Sequence, residues 1–296
     1  MNYLEKYNYT ADEGRIAEGL QSILSNYGDM VTSEVLRTCF SMMDLTTLHP
    51  EDTVLSVRKL VEKVNALATE FPTYPVPASI CVFPNFASVV RDWRKTEELH
   101  VTTVAGCFPA SQSFLEVKVK ESEMAVADGA DEVDIVLALN AFLAGDYASA
   151  SHEISEIRQA VDKLASALGR KVVLKVILET GVLKTVENIA NASFLAMEAG
   201  ADFIKTSTGK VEVNATPTAA YVMCECIKAF YKLSGRAVGF KAAGGISNAQ
   251  DALAYYYIGN TVLGNDWMNK KLFRFGVSRL GNSLMSAIEQ RTVNYF

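Results

Sequence analysis

The chain has 296 residues, 49% of them hydrophobic and 21% charged, which is enough apolar material to bury a substantial core. Its net charge of −6 is dispersed and no basic run occurs, which excludes an obvious nucleic-acid or membrane-surface partner. No apolar stretch reaches the roughly 18–20 residues that span a bilayer, and the N-terminus lacks the basic-then-apolar form of a signal peptide.

Short apolar strands are predicted in chain order around 37–44, 79–83, 101–106, 132–138, 172–178, 203–207, 238–243 and 261–264. Segments 52–70, 111–128, 146–168 and 182–199 carry apolar residues near helical spacing. Thr216-Pro217 has the form of an N-cap followed by proline at the first helical position, and Ser247-Asn248-Ala249-Gln250 has the spacing of a capping box. Strands followed by helices, with no Pro/Gly/Ser-rich linker, predict an α/β protein: a single (β/α)8 TIM barrel over 31–296 behind a partly helical N-terminal extension over 1–30. An open doubly wound sheet is the alternative, but no GxGxxG follows a first strand.

The five cysteines, Cys39, Cys81, Cys107, Cys224 and Cys226, include no CxxC pair, so reduced thiols in a cytoplasmic protein are expected. His49, His100 and His152 lie far apart, which argues against a His-rich zinc site, and no metal is expected.

Two internal echoes place charges on the strands. Gly129-Ala130-Asp131 and Gly200-Ala201-Asp202 are followed at the same offset by Asp134 and Lys205, on predicted strands four and six. Gly169-Arg170 and Gly235-Arg236 are followed at one offset by Lys175 and Lys241, on strands five and seven. Alternate strands of a barrel share interior layers, so Asp134 and Lys205 are expected in one layer and Lys175 and Lys241 in another. Chance similarity with outward-facing charges is the competing explanation. Ionisable groups inside four successive apolar strands are too many for ordinary solvated faces.

Lys205 lies between the strands of Lys175 and Lys241, so like charges are expected on both sides. At about 6 Å and an effective dielectric near 20, each costs about 3 kcal/mol, or about two pKa units. Desolvation acts in the same direction, which makes Lys205 the candidate neutral amine, a nucleophile able to form a Schiff base with a carbonyl. Lys175 adjoins the strand of Asp134 and can pair with it instead. The loops after strands seven and eight, with Gly244-Gly245 and Gly276-Val277-Ser278, suit a phosphate, and Gly209-Lys210 adds a neighbouring donor and a charge. Ser278 is expected at the start of a helix.

The stretches Met43-Asp44-Leu45-Thr46-Thr47-Leu48, Glu132-Val133-Asp134, Leu174-Lys175 through Glu179-Thr180-Gly181, Asp202-Phe203-Ile204-Lys205 through Lys210, Gly239-Phe240-Lys241-Ala242-Ala243-Gly244-Gly245 and Arg274-Phe275-Gly276 resemble the deoxyribose-phosphate aldolase family. The resemblance implies a metal-free, cofactor-free class I aldolase on a TIM barrel. It would interconvert 2-deoxy-D-ribose 5-phosphate with D-glyceraldehyde 3-phosphate and acetaldehyde. By the same resemblance, Lys205 is the Schiff-base lysine, Asp134 the proton-transfer carboxylate and Lys241 its partner. Asp44, Thr46, Cys81, Lys175, Thr208 and Lys210 are then substrate-binding, and Gly209, Gly244, Gly245, Gly276 and Ser278 phosphate-binding. The implied partners are a small sugar phosphate and acetaldehyde, in a homo-oligomer with a dimer first, and no nucleic acid or membrane.

The chain departs from the family at Ala242, where a proline is usual, and at Arg279, where a serine is usual and which either contacts phosphate or points away. Tyr295 is penultimate, before Phe296, where the family's chain often ends in tyrosine. Cys81 either faces the aldehyde pocket or is an ordinary buried core cysteine. Two rival functions are a sugar-phosphate isomerase that forms no Schiff base and a catalytically silent sugar-phosphate-binding protein.

Overall fold

The computed structural model describes residues 2–26, 28 and 31–296. Eight parallel strands close a barrel in sequence order: β1 (Met43–Thr46), β2 (Ser79–Val82), β3 (His100–Val104), β4 (Glu132–Val136), β5 (Val173–Ile177), β6 (Phe203–Lys205), β7 (Gly239–Ala243) and β8 (Phe273–Val277). β8 pairs back onto β1, aligning Met43 with Phe275 and Asp44 with Gly276. With helices outside every strand, this is the (β/α)8 TIM barrel.

The period-two pleat explains why these short runs become strands with two different faces. One set of alternating residues, including Leu45, Ile80, Val133, Leu174, Ile204 and Phe240, is buried against the helices. The other set, including Asp44, Thr102, Asp134, Lys175, Lys241 and Arg274, points to the axis and is equally buried. Phe203 is aligned with Lys175 across β5 and β6 and packs under the Arg274 guanidinium. Its ring occupies the space left by Gly239, where a Cβ would lie 2.3 Å from Phe203 Cε1.

Helices α1 (Tyr3–Lys6), α2 (Glu13–Leu24) and α3 (Ser33–Ser41) precede β1. Tyr7 stacks on Phe194 at 4.2 Å between ring centroids, and Arg15 forks onto Glu225 at 2.5 and 2.9 Å, which fixes the N-terminal segment on the outer helices. Then follow α4 (Val54–Glu70), α5 (Ala87–Trp93), α6 (Leu115–Ala127), α7 (Leu139–Leu143), α8 (Tyr147–Ala167), α9 (Thr180–Leu183), α10 (Val186–Glu198), α11 (Pro217–Ser234), α12 (Ala249–Leu263) and α13 (Leu280–Glu289). Thr216 caps α11 by accepting from Ala219 N at 3.1 Å, with Pro217 in the first turn as expected. None of the helices, among the described residues, is long and apolar enough to cross a membrane.

Two strands and one cap lie elsewhere than the sequence predicts. Most of 37–44 belongs to α3, capped by Thr32, and β1 begins only at Met43. The predicted strand 261–264 is the end of α12, and the eighth strand is Phe273–Val277. Its pattern is inverted relative to a surface strand: Phe273 and Phe275 face the helices while Arg274 faces the axis, so the charge reads as solvent-exposed in sequence. Gly276 and Val277 therefore lie inside β8, and α13 starts at Leu280, beyond Ser278. The cap of α12 is Asn248, which accepts from Asp251 N at 2.8 Å, one residue after the predicted Ser247.

Candidate active site

Asp134, on β4, is the centre of the interior. Its Oδ1 accepts from Lys175 Nζ at 2.9 Å, and its Oδ2 accepts from Lys205 Nζ at 2.9 Å and from Lys241 Nζ at 2.8 Å. The two-layer arrangement expected from the echoes does not hold, because amines of both supposed layers meet on this one carboxylate. The strand register is the reason. Asp134 is aligned with Lys175, and Lys205 with Lys241, so flexible lysine stems from neighbouring strands converge between levels.

The other charges extend this into a closed ring of alternating sign. Lys241 Nζ also pairs with Asp44 at 2.5 Å; Arg274 bridges Asp44 at 2.6 Å and Glu132 at 2.7 Å; Lys175 links Glu132 back to Asp134. Each of Lys175, Lys241 and Arg274 thus has two close carboxylates, while Lys205 has one. With three carboxylates already matched by three cations, a proton on Lys205 would be surplus charge in a buried site.

The titration tendencies follow from that count. Burial is the strongest influence on Lys205; Lys241 adds repulsion, Asp134 opposes both, and the outcome is a lowered pKa. Burial acts against charge on Lys175 and Lys241 too, but there Asp134, with Glu132 for the first and Asp44 for the second, outweighs it and raises both. Burial likewise opposes ionised Asp134, yet the three lysines hold its carboxyl well below the usual range. The expectation of flanking like charges is therefore corrected: desolvation is the larger cause, and the repulsion comes from Lys241, since Lys175 is engaged by Glu132 and Asp134.

Above Lys205 the barrel opens into a cavity of about 200 Å³. Thr46, Thr208, Gly209, Lys210, Gly244, Gly245, Gly276 and Ser278 line it with Lys205. Asp44, Asp134, Lys175 and Lys241 lie beneath, fully buried. Gly244 and Gly245 have φ of +85° and +83°, backbone conformations that glycine adopts without strain and that leave no Cβ in the cavity lining. Lys210 Nζ reaches across to the Leu48 carbonyl at 2.6 Å. Cys81 is buried with Leu48 and Val104 outside the cavity lining, close enough to Lys241 and Lys205 for their charges to act on its thiol, although burial dominates and raises its pKa. Arg279 is exposed and does not line the cavity. Tyr295 donates to the Lys63 carbonyl at 2.7 Å and packs on Phe71 instead of reaching the mouth. A larger cleft of about 840 Å³ between α2 and α11 has nothing comparable, its Arg15 being paired with Glu225. Among the described residues no cluster of three or more His, Cys, Asp or Glu side chains could hold a metal ion.

Glu132, Arg274 and Glu179 are not among the sequence-predicted site residues. Period-two spacing puts Glu132 on the face of Asp134, a signal available in the sequence; Arg274 is visible only once β8 is correctly placed. Glu179 sits at φ +57°, a left-handed conformation unusual for a side-chain-bearing residue. Its carboxylate accepts from Thr208 N at 3.1 Å and Thr208 Oγ1 at 2.6 Å, holding the loop that follows β6.

The comparisons define the class: an aldolase, a carbon–carbon lyase. Residues 38–268 match the DeoC/LacD family of aldolases, and the chain belongs to that family. It is 38% identical over 272 residues to a candidate deoxyribose-phosphate aldolase of Caenorhabditis elegans, covering 91% of this chain and 86% of that one. The deoxyribose phosphate aldolase of Aeropyrum pernix, described as tetrameric, superposes with a TM-score of 0.66 at 27% identity, covering 90% of this chain and 97% of that one. The aldolase QR15 gives a TM-score of 0.66 at 29% identity over 85% and 95% of the two chains.

Proposed function

We propose that the protein is a class I aldolase that reversibly cleaves 2-deoxy-D-ribose 5-phosphate to D-glyceraldehyde 3-phosphate and acetaldehyde through an imine on Lys205. The observation that carries this reading is the position of Lys205 as the one amine of the cluster with a single carboxylate partner, beneath the cavity.

A buried, unprotonated amine attacks the C1 aldehyde of the open-chain sugar to give a neutral carbinolamine. Uptake of one proton from solvent with loss of water leaves an iminium ion, and that proton is returned when the last imine is hydrolysed. Asp134 stays ionised through these steps, held by Lys175 and Lys241, and is therefore available as a base. Asp134, directly or through a water, then takes the proton of the C3 hydroxyl. The C2–C3 bond breaks, its electron pair passing to the iminium nitrogen to give an enamine, and glyceraldehyde 3-phosphate leaves. Protonation of the enamine at carbon and hydrolysis release acetaldehyde and the amine. Lys241, bridging Asp134 and Asp44, steadies the carboxylate between these states. The phosphate sits against Gly244, Gly245, Gly209 and Gly276, with Lys210 and Ser278 at the rim. We infer a homo-oligomer, a reading supported by the tetrameric Aeropyrum pernix relative.

Borohydride reduction in the presence of acetaldehyde, followed by peptide mapping, tests the reading. A stable ethyl group on Lys205 is expected. An isomerase without an imine, or a silent binding protein, would show no labelling of Lys205 above that of exposed lysines.

A further inference from the structure

The charged ring extends away from the mouth, to groups that the proposed chemistry does not use. Glu132 is fully buried and does not line the cavity. Its Oε1 accepts from Arg274 Nη2 at 2.7 Å and lies 2.6 Å from His100 Nδ1; its Oε2 accepts from Arg274 Nη1 at 3.0 Å and from Thr102 Oγ1 at 3.1 Å, and pairs with Lys175. A buried carboxylate and guanidinium are costly to desolvate, and apolar residues of similar size would often be as stable. Their presence at the floor of the barrel therefore calls for a reason beyond packing.

We propose that Glu132 and Arg274 are positioning residues: they complete the ring Asp134–Lys175–Glu132–Arg274–Asp44–Lys241, and the completed ring makes Lys205 the amine that stands without its proton. The inference rests on the imine reading above. Neither residue has an ion pair or hydrogen bond with Lys205, so both act through the ring. The ring joins three cations to three anions, each with at least two partners of opposite sign, so the six charges cancel. Lys205 hangs from Asp134 as a seventh group, and its proton is the one whose removal makes the cluster neutral while breaking only a single ion pair. The groups facing Glu132 are His100 from β3, Lys175 from β5 and Arg274 from β8, with the Thr102 hydroxyl; those facing Lys205 are Asp134 from β4, Lys241 from β7 and Cys81 from β2. The opposite tendencies of Lys205, lowered, and of Lys175, Lys241 and Arg274, raised, agree with this selection.

Charge deletions of opposite sign test it, read as the pH dependence of borohydride trapping of acetaldehyde on Lys205. Glu132→Gln keeps the shape but leaves the ring one anion short. The Lys205 proton then becomes still less favourable, and the acid limb of trapping should move down by about one pH unit. Arg274→Met leaves one anion unmatched and should move the limb up by about one unit. The double variant restores the balance, and its profile should return to that of the parent. A merely structural role would lower the melting temperature of the variants without separating their profiles by sign. Where a single variant fails to fold, the double one decides, and a displaced profile there overturns the proposal. A parent that gains no ethyl group overturns the imine reading itself. A parent that gains one on Lys205, with profiles in the variants that coincide with its own, overturns the ring alone.

Discussion

Lys205 and Lys241 share a single oxygen, Oδ2 of Asp134, at 2.9 and 2.8 Å, yet only Lys241 has a second carboxylate, Asp44, at 2.5 Å. One anion cannot fully neutralise two ammonium groups, and the lysine with the second partner keeps its proton. The difference between these neighbours, aligned with each other across β6 and β7, is the basis of the chemistry proposed here.

Replacing Lys205 should therefore abolish activity without harming the fold. Lys205→Met is expected to lower turnover by more than about a thousandfold, the scale expected when a nucleophile is removed. The lysine's folded pKa is lowered from its ordinary 10.5, so the unfolded chain binds the proton more tightly, and stability rises with pH between the two values. Lys205→Met should remove that rise and melt no lower than the parent near neutral pH. Lys205→Arg should be as inactive but less stable, because a guanidinium keeps the surplus charge. Thermal melts across this pH range, with steady-state rates, check both points; residual activity above a few per cent in either variant would move the nucleophile elsewhere.

Lys241→Leu removes the cation that repels Lys205 and competes for Asp134. Both effects raise the pKa of Lys205, so borohydride-dependent inactivation should need a higher pH than in the parent, and most activity should be lost. An unchanged profile would contradict the repulsion, while leaving the assignment of Lys205 intact.

The carboxylates predict the acid limit of stability. Asp44, Glu132 and Asp134 all titrate below their ordinary values, each because its cations outweigh the opposing effect of burial. Groups depressed in this way contribute stability that is complete above the unfolded carboxyl range, near pH 4, and is lost as pH falls toward the folded values. The melting temperature of the parent should thus drop steeply below about pH 4. In Lys241→Leu the drop should be shallower, since Asp44 and Asp134 lose a shared partner. Parallel curves for the two proteins would show that acid sensitivity arises outside the cluster.

How much of this was legible in the sequence depended on which face of a strand carried the charge. The strands of Asp134, Lys175, Lys205 and Lys241 read correctly because each charge interrupts an apolar run and the flanking Gly-Ala-Asp and Gly-Arg pairs mark where the strand begins. β8 did not, since Phe-Arg-Phe alternation looks the same whether the arginine faces water or the barrel axis, and Thr261-Val262-Leu263 supplied a more strand-like alternative that packs as the end of α12. The convergence of three amines on Asp134 depends on register and side-chain length, which offsets from a shared motif do not specify. Glu179 was invisible as a site residue because its role comes from a left-handed backbone that brings its carboxylate to Thr208.

Chelation should leave activity unchanged. The carboxylates best placed to bind a cation, Asp44, Glu132 and Asp134, are each already within 3.0 Å of protein cations. Prolonged incubation with EDTA and assay before and after added zinc measure this; loss restored by zinc would favour metal-dependent aldol chemistry.

Glu179 allows the phosphate end of the site to be separated from the imine end. Its carboxylate accepts both the N–H and the hydroxyl of Thr208, and Thr208 Oγ1 accepts in turn from Lys210 N at 3.0 Å, so a single buried side chain orders the loop that carries Gly209 and Lys210 to the cavity. Removing it leaves a buried N–H and hydroxyl without a partner, a cost of about 1–3 kcal/mol that the loop can avoid only by moving. The left-handed backbone at this position also disfavours alanine about as much as glutamate, so little strain is relieved in exchange. Glu179→Ala is therefore expected to raise KM for the phosphorylated sugar by roughly tenfold, the equivalent of about 1.4 kcal/mol. Trapping of acetaldehyde on Lys205, which needs no phosphate contact, should remain near the parental rate. Glu179→Gln retains one carbonyl acceptor for Thr208 N and should recover most of the affinity. Steady-state kinetics on the sugar phosphate and borohydride trapping, run on the same three proteins, distinguish the outcomes. Equal losses in both assays would mean that Glu179 supports the strand end of Lys205 itself, and no loss in either would mean that the loop keeps its shape without it.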